Sequence, residues 1–433
     1  MVLSALAVLA AGCGGSTTAN AGASATDVAE GNGPGVTADS VKVGFIALDT
    51  KRLAAALKLK LVDQGDQQAQ ITALVDAVNA KGGIAGRKVV PVVKTYDALL
   101  DSAKAEEKLC NEFTQDEQVF AVMLWGMFQE NLRPCFQQAR TVMVENTLYP
   151  LPKESMKKLK PYYMAPTYPT YDDVVAGLGG AMQDTDFLGA DAKVGILGVD
   201  TKANRDILER QLLRILKKAG AAPVEVRWIN LTDDSNIRAG YEQAVIAYKA
   251  AGVNRLVTVG GSRLLSYFLD YADKQDFAPR LIMSSYDNPD YNIANYPKFV
   301  TGAAGLSISP SWDLPAAALP TPHNDAEKAC LDIYTKAGIT FPGRPEARTA
   351  LYNCDSLMFL QKAAGSAGIK KGTDLGAAAL YDGALDLGDS WQAASTYGND
   401  FSGTVVAGAS AYNAFTYDPA CNCVALAGTP KDF

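Results

Sequence analysis

From residue 41 onward, apolar β-rich runs alternate with stretches whose apolar side chains recur every three or four positions. The runs 41–48 (VKVGFIAL), 88–95, 119–124 and 142–144 predict strands; 66–80, 102–113 and 128–139 predict amphipathic helices between them. The rhythm restarts near residue 190, with strands at 193–199, 224–230, 255–259 and 280–284 and helices at 205–219, 237–251 and 262–275. Strands separated by helical segments of this length make βαβ units on a parallel sheet. Two such series, joined by a Pro- and Tyr-rich stretch at 149–171, predict two similar doubly wound α/β lobes. Further on, 326–337 and 349–364 read as helices, and 404–407 and 412–417 as strands.

One helix carries its own stop signal. In Asn79-Ala80-Lys81-Gly82-Gly83-Ile84-Ala85-Gly86-Arg87, a glycine can turn left-handed after the last turn while Ile84 folds back as a hydrophobic cap. No G-x-G-x-x-G or phosphate-loop pattern surrounds these glycines, so they read as structural.

The N-terminus reads differently. Residues 2–11 form an apolar, small-residue run ending in Ala10-Ala11-Gly12-Cys13, which resembles a bacterial lipobox, with Cys13 as the acylated new N-terminus. Leu9 lies four residues before the Cys rather than three. No Lys or Arg precedes the run, which fits a translation start upstream of Met1. Residues 14–40 hold Gly, Ser, Thr, Ala and Asn with hardly a large apolar side chain, the composition of a flexible tether. The expected location is therefore the cell surface or periplasm, with the protein anchored to the membrane as a lipoprotein.

At 433 residues the chain is long enough for more than one core. A net charge of −7 without clustered Lys or Arg argues against a nucleic-acid partner. Cys13 aside, six cysteines remain, and an even number in an exported chain predicts disulfides, with 15 connectivities open. Sequence proximity favours Cys110–Cys135, Cys330–Cys354 and Cys421–Cys423. With His323 the sole histidine and no C-x-x-C pair, neither a metal site nor a cofactor is expected. His323 stands in a Pro-rich loop without the setting of a Ser-His-Asp or Cys-His arrangement, so no catalytic residue is assigned.

The strand near 41, the helix closing in NAKGGIAGRKV (79–89), Tyr96-Asp97, the crossover at 161–173, the strand 194–200 and Tyr352-Asn353-Cys354-Asp355 together resemble the branched-chain amino-acid type of substrate-binding protein of ABC importers. The resemblance runs from about residue 40 to the end. It implies the type 1 periplasmic binding fold: two lobes, joined by three crossovers, that close on a ligand. It divides the chain into a signal peptide and lipobox at 1–13, a tether at 14–40, lobe one at 41–160 plus 325–402, and lobe two at 161–324 plus 403–433. It implies a monomeric binding protein, not an enzyme, whose partners are a small-molecule ligand and the membrane permease of an importer. A lipoprotein that senses a ligand and signals to a membrane receptor would use the same clamp. A sheet ordered 2-1-3-4 would set the helices after strands 2 and 3 side by side, consistent with a Cys110–Cys135 bridge.

In open α/β sheets, ligands bind beyond the carboxyl ends of the strands. That rule nominates Asp49, the loop Trp125-Gly126-Met127-Phe128 and Asn146 from lobe one, with Asp200, Ser262, Tyr286 and Asp287 from lobe two. Trp125 and Phe128 either wall a cleft or pad a helix interface. Asp287 either meets the ligand or caps a helix. Amino-acid-binding relatives hold the ligand carboxylate with Ser/Thr residues where this chain has Trp125-Gly126-Met127-Phe128. That departure implies a ligand more apolar or aromatic than a simple α-amino acid.

Overall fold

The computed structural model describes residues 31–146, 149–231, 234–314 and 318–433. Cys13, the signal peptide, most of the proposed tether and Thr147 lie outside the described residues. Two sheets organise the chain. The first has the order β2-β1-β3-β4-β5, all parallel: β1 is Ser40–Asp49, β2 Lys88–Asp97, β3 Ala121–Leu124, β4 Val142–Glu145 and β5 Tyr163–Met164. In the second, β6 (Val194–Val199), β7 (Pro223–Ile229), β8 (Arg255–Val259), β9 (Arg280–Ser284) and β10 (Ala304–Ser307) run parallel in the order β7-β6-β8-β9-β10. Antiparallel β11 (Ala411–Asp418) and β12 (Cys423–Leu426) complete its far edge.

The inner strands β3, β4, β6, β8 and β9 are apolar on both faces because both faces are covered, as parallel sheets require. Val41, Val43 and Phe45 of β1 point into one core, while Ile46 and Leu48 point into the other. The helix Gln67–Ala80 lays Ile71, Leu74, Val75 and Val78 on the first of these faces. Its end is built as its sequence implies. Gly83 has φ +67°, its N–H donates to Val78 O at 3.0 Å, and Ile84 is fully buried. A Cβ on Gly83 would meet Arg87 O at 1.9 Å.

The chain passes between the sheets three times. It leaves β5 for the helix Tyr171–Asp184, which packs on the second sheet, and leaves β10 through 308–324 for the helix Asp325–Lys336 beside the first. It then returns to β11 after the helix Ala377–Leu385. The first and third passages run side by side: Ala165 N donates to Val406 O at 2.9 Å and Gly408 N to Ala165 O at 2.8 Å. This corrects one expectation. Residues 404–407 form no strand; only Ala407 makes a bridge, to Ala165, because the segment is a passage between lobes rather than a member of a sheet. Disulfides join Cys110–Cys135, Cys330–Cys354 and Cys421–Cys423. The first fastens the helices Ala103–Asn111 and Leu132–Gln138, which lie side by side after β2 and β3.

Candidate functional site

The carboxyl ends of β3 and β4 face those of β6, β7 and β8 across a cleft of about 690 Å³. The first lobe lines it with residues 128–131 and 149–152, together with Ala103 and Ser155. The second lobe lines it with residues 199–204, Asn230, Leu231 and Gly260. Phe128 and Tyr149 give one wall aromatic surface, while Gln129, Asn131, Asn204 and Asn230 add amide side chains, of which Gln129, Asn131 and Asn204 already donate to Asp101, Ala103 O and Val199 O. Pockets of this size and mixture suit small organic molecules.

Rigid supports hold the walls. Beneath Tyr149, the Arg133 guanidinium lies 3.8 Å from the ring centroid and grips Glu145 twice, at 2.6 and 2.7 Å. Arg133 also donates to the carbonyls of Met127 and Gln129, at 3.3 and 3.2 Å, and so fixes the loop that presents Phe128. Buried Glu106 accepts from Phe128 N at 2.7 Å and Gln129 N at 3.1 Å. Burial pushes its carboxyl up to about 8, against the pull of those two N–H groups. Across the cleft, Thr201 caps the helix that begins at Lys202 by accepting from Asn204 N, and Asp200 accepts from Arg205 Nε at 2.8 Å.

The nominated residues divide between the cleft and its surroundings. Phe128 and Asp200 line the cleft, as do Thr201 and Lys202 next to Asp200 and Gly260 near Ser262. Trp125 turns inward, only 5% exposed, and donates from Nε1 to Ile46 O at 3.0 Å. Gly126 has φ +70°, and a Cβ there would press on the Leu48 side chain at 2.3 Å. Met127 is fully buried. Asn146 is buried at the first passage, accepting from Thr167 Oγ1 at 2.5 Å and donating to Ser356 Oγ. Asp49 caps the helix Thr50–Leu57 and borders a separate hollow of about 210 Å³. Ser262 opens the helix Ser262–Lys274. Tyr286 is buried between Tyr168 and Tyr171, with ring centroids 5.4 and 5.7 Å away. Asp287 accepts from Ser284 N at 2.8 Å and Thr258 Oγ1 at 2.7 Å.

Sequence reasoning passed over Tyr149, Asn131 and Asn230. Asn230 directly follows β7, so the strand-end rule that nominated the other loops reaches it. Tyr149 carried no such signal, because 149–171 reads as a linker.

A family model described as "Periplasmic binding protein" matches residues 65–388. None of the curated proteins matches this sequence. Among solved structures, a fatty acid ABC transporter substrate-binding protein from Thermomonospora curvata is 16% identical, with a TM-score of 0.62 over 93% of this chain and 95% of that one. A solute-binding protein of an ABC transporter from Rhodopseudomonas palustris, in complex with 3,4-dihydroxybenzoic acid, is 14% identical, with a TM-score of 0.59 over 91% and 98%. A branched-chain amino acid transporter substrate-binding protein from Streptococcus pneumoniae, in complex with isoleucine, is 14% identical, with a TM-score of 0.56 over 90% and 99%. At these identities the likeness concerns the fold, which is that of type 1 periplasmic binding proteins.

Proposed function

The chain belongs to the periplasmic binding protein family, and from that premise we propose that it is the solute-binding component of an ABC-type importer. In this reading it captures a small organic molecule between two closing lobes outside the cytoplasm and hands it to a membrane permease, with no chemistry done on it. The observation that carries the reading is the cleft itself: strand ends of two lobes face one another across a space of ligand size. The lobes are joined by three passages rather than by a continuous core sheet, so closure can add ligand contacts that exist in one state only.

Phe128 and Tyr149 contribute the apolar wall, and Asp200, Asn204 and Asn230 the opposing polar one. Withdrawing one aromatic face from water contributes roughly 1.5–3 kcal/mol, so Phe128→Ala or Tyr149→Ala is expected to weaken binding by about tenfold or more. Calorimetry with whichever compound emerges from a thermal-shift screen checks this, and wild-type affinity in both variants would move the site elsewhere. Cys13 is proposed as the lipid anchor. Cys13→Ser is then expected to shift the protein from the membrane fraction to the soluble one, and unchanged fractionation would remove the anchor from the account.

A further inference from the structure

At the end of β3, the N–H groups of Phe128 and Gln129 both point at Glu106 Oε1. Glu106 reaches there from the helix Ala103–Asn111, with no exposed surface of its own. Successive backbone N–H groups beyond a parallel strand are where this architecture meets the anionic end of a ligand. Here a side chain of the protein already stands in that place. Phe128 and Gln129 both line the cleft, so the occupied position borders the ligand space directly.

Two further backbone donors at the cleft are committed in the same way. After β6, Asn204 N donates to Thr201 Oγ1 at 3.1 Å; after β8, Gly260 N donates to the Tyr171 hydroxyl at 3.0 Å. Of the neighbouring cations, Arg133 is tied up in a buried pair with Glu145, while Arg205 and Lys202 make exposed pairs with Asp200 and Asp206. A carboxylate entering at the end of β3 would have to displace the buried Glu106 acceptor while sharing the space with Glu130 and Asp200. Displacement costs the bonds already made and strands the expelled group, which is the expensive outcome for a buried acid.

We infer that the cleft takes an organic molecule with no carboxylate at its recognised end, uncharged or cationic, and that Glu106 sets this selectivity by filling the anion position itself. The inference rests on the cleft being the ligand site. Glu106 touches the loop, not the ligand, so it acts as a positioning and excluding residue.

The test separates the two readings. Glu106→Ala removes the carboxyl and leaves two N–H donors facing a hole of carboxylate size; Glu106→Ser does the same should the alanine variant not fold. Excess acetate, with chloride-matched ionic strength, is expected to raise the melting temperature of the truncated variant. It should leave wild type and Glu106→Gln, whose amide oxygen still accepts, unmoved. Acetate that stabilises wild type equally, or fails to stabilise the truncated variant, overturns the inference without reference to any ligand. In parallel, calorimetry on wild type compares 3,4-dihydroxybenzoate with 3,4-dihydroxybenzylamine, and octanoate with octylamine. The amine of a pair is expected to bind at least about tenfold tighter, with the preference falling in the truncated variant. A carboxylate that binds wild type tighter than its amine, and loses affinity in Phe128→Ala, overturns the selectivity and keeps the cleft. Binding indifferent to Phe128→Ala sinks the cleft reading instead.

Discussion

Arg133→Met is expected to destabilise the protein by about 3–5 kcal/mol, because it leaves the Glu145 carboxylate buried with its main partner gone. The two side chains are each 2% exposed and joined by two short bonds, at 2.6 and 2.7 Å. Burial pushes the Glu145 carboxyl up, and the guanidinium is what opposes it. Removing both charges in Arg133→Met/Glu145→Leu avoids the stranded carboxylate and is expected to recover most of the stability. It does not restore the bonds from Arg133 to the Met127 and Gln129 carbonyls, nor its support of the Tyr149 ring. The double variant is therefore expected to fold yet to hold Phe128 and Tyr149 loosely and bind ligand more weakly. Urea denaturation and calorimetry on the three proteins check this. A loss of less than about 1 kcal/mol in the single variant, within the range of an exposed pair, would contradict it.

Glu327→Ala is expected to cost a similar amount, about 3–5 kcal/mol, for a related reason. Glu327 is fully buried, receives Arg344 at 2.7 and 3.2 Å and the His323 backbone N–H at 2.6 Å, and lies 2.7 Å from His323 Nδ1. His323 Nε2 lies 3.0 Å from Thr396 O, so this one carboxylate ties the second passage between the lobes to the third. Burial alone would push the Glu327 carboxyl up, but His323 and Arg344 hold it down to about 2. Its contribution is present above the ordinary carboxylate range and is lost as pH falls toward 2. Glu106 behaves oppositely: burial raises it to about 8, and burial likewise raises Asp313 and Asp355 to about 7. Their contributions are complete below the ordinary carboxylate range and are lost progressively as pH rises from there to 7 and 8. Wild type should accordingly melt at its highest temperature in acidic buffer, at about pH 4–5, and at lower temperatures on either side. Glu327→Ala should lose the fall on the acid side selectively. A melting temperature still climbing from pH 7 to 9 would contradict the assignment of the raised groups.

The sequence is most legible where local pattern and tertiary placement agree. β8 and β9 occupy the expected residues, because β8 is bracketed by Gly252 and Gly260-Gly261 and both strands are apolar runs buried at the centre of a parallel sheet. The helix expected over 128–139 begins only at Leu132. The N–H groups of Phe128 and Gln129 are held by Glu106, from more than twenty residues earlier, and no local periodicity reports that. β10 (AGLS) gave no strand signal, since Leu306 is its one large apolar residue. It is specified by the close approach of Gly305 to Phe415 and Met283, where a Cβ would sit 2.4 and 2.2 Å from their atoms. The site was legible to the level of loops. The strand-end rule locates a loop but not the direction a side chain takes from it. Phe128 faces the cleft, while Trp125, three residues earlier, turns inward to satisfy its N–H on Ile46 O. Tyr286 likewise completes an aromatic cluster between the passages.

A crystal structure of the full-length protein purified from its own cell envelope without refolding tests the central claim most directly. The account predicts density for a bound organic molecule between Phe128 and Tyr149 on one side and Asp200, Asn204 and Asn230 on the other, with the lobes drawn together on it. An ordered organic molecule held outside this cleft, for example in the hollow of about 380 Å³ beside Thr321 and Phe341, would contradict it.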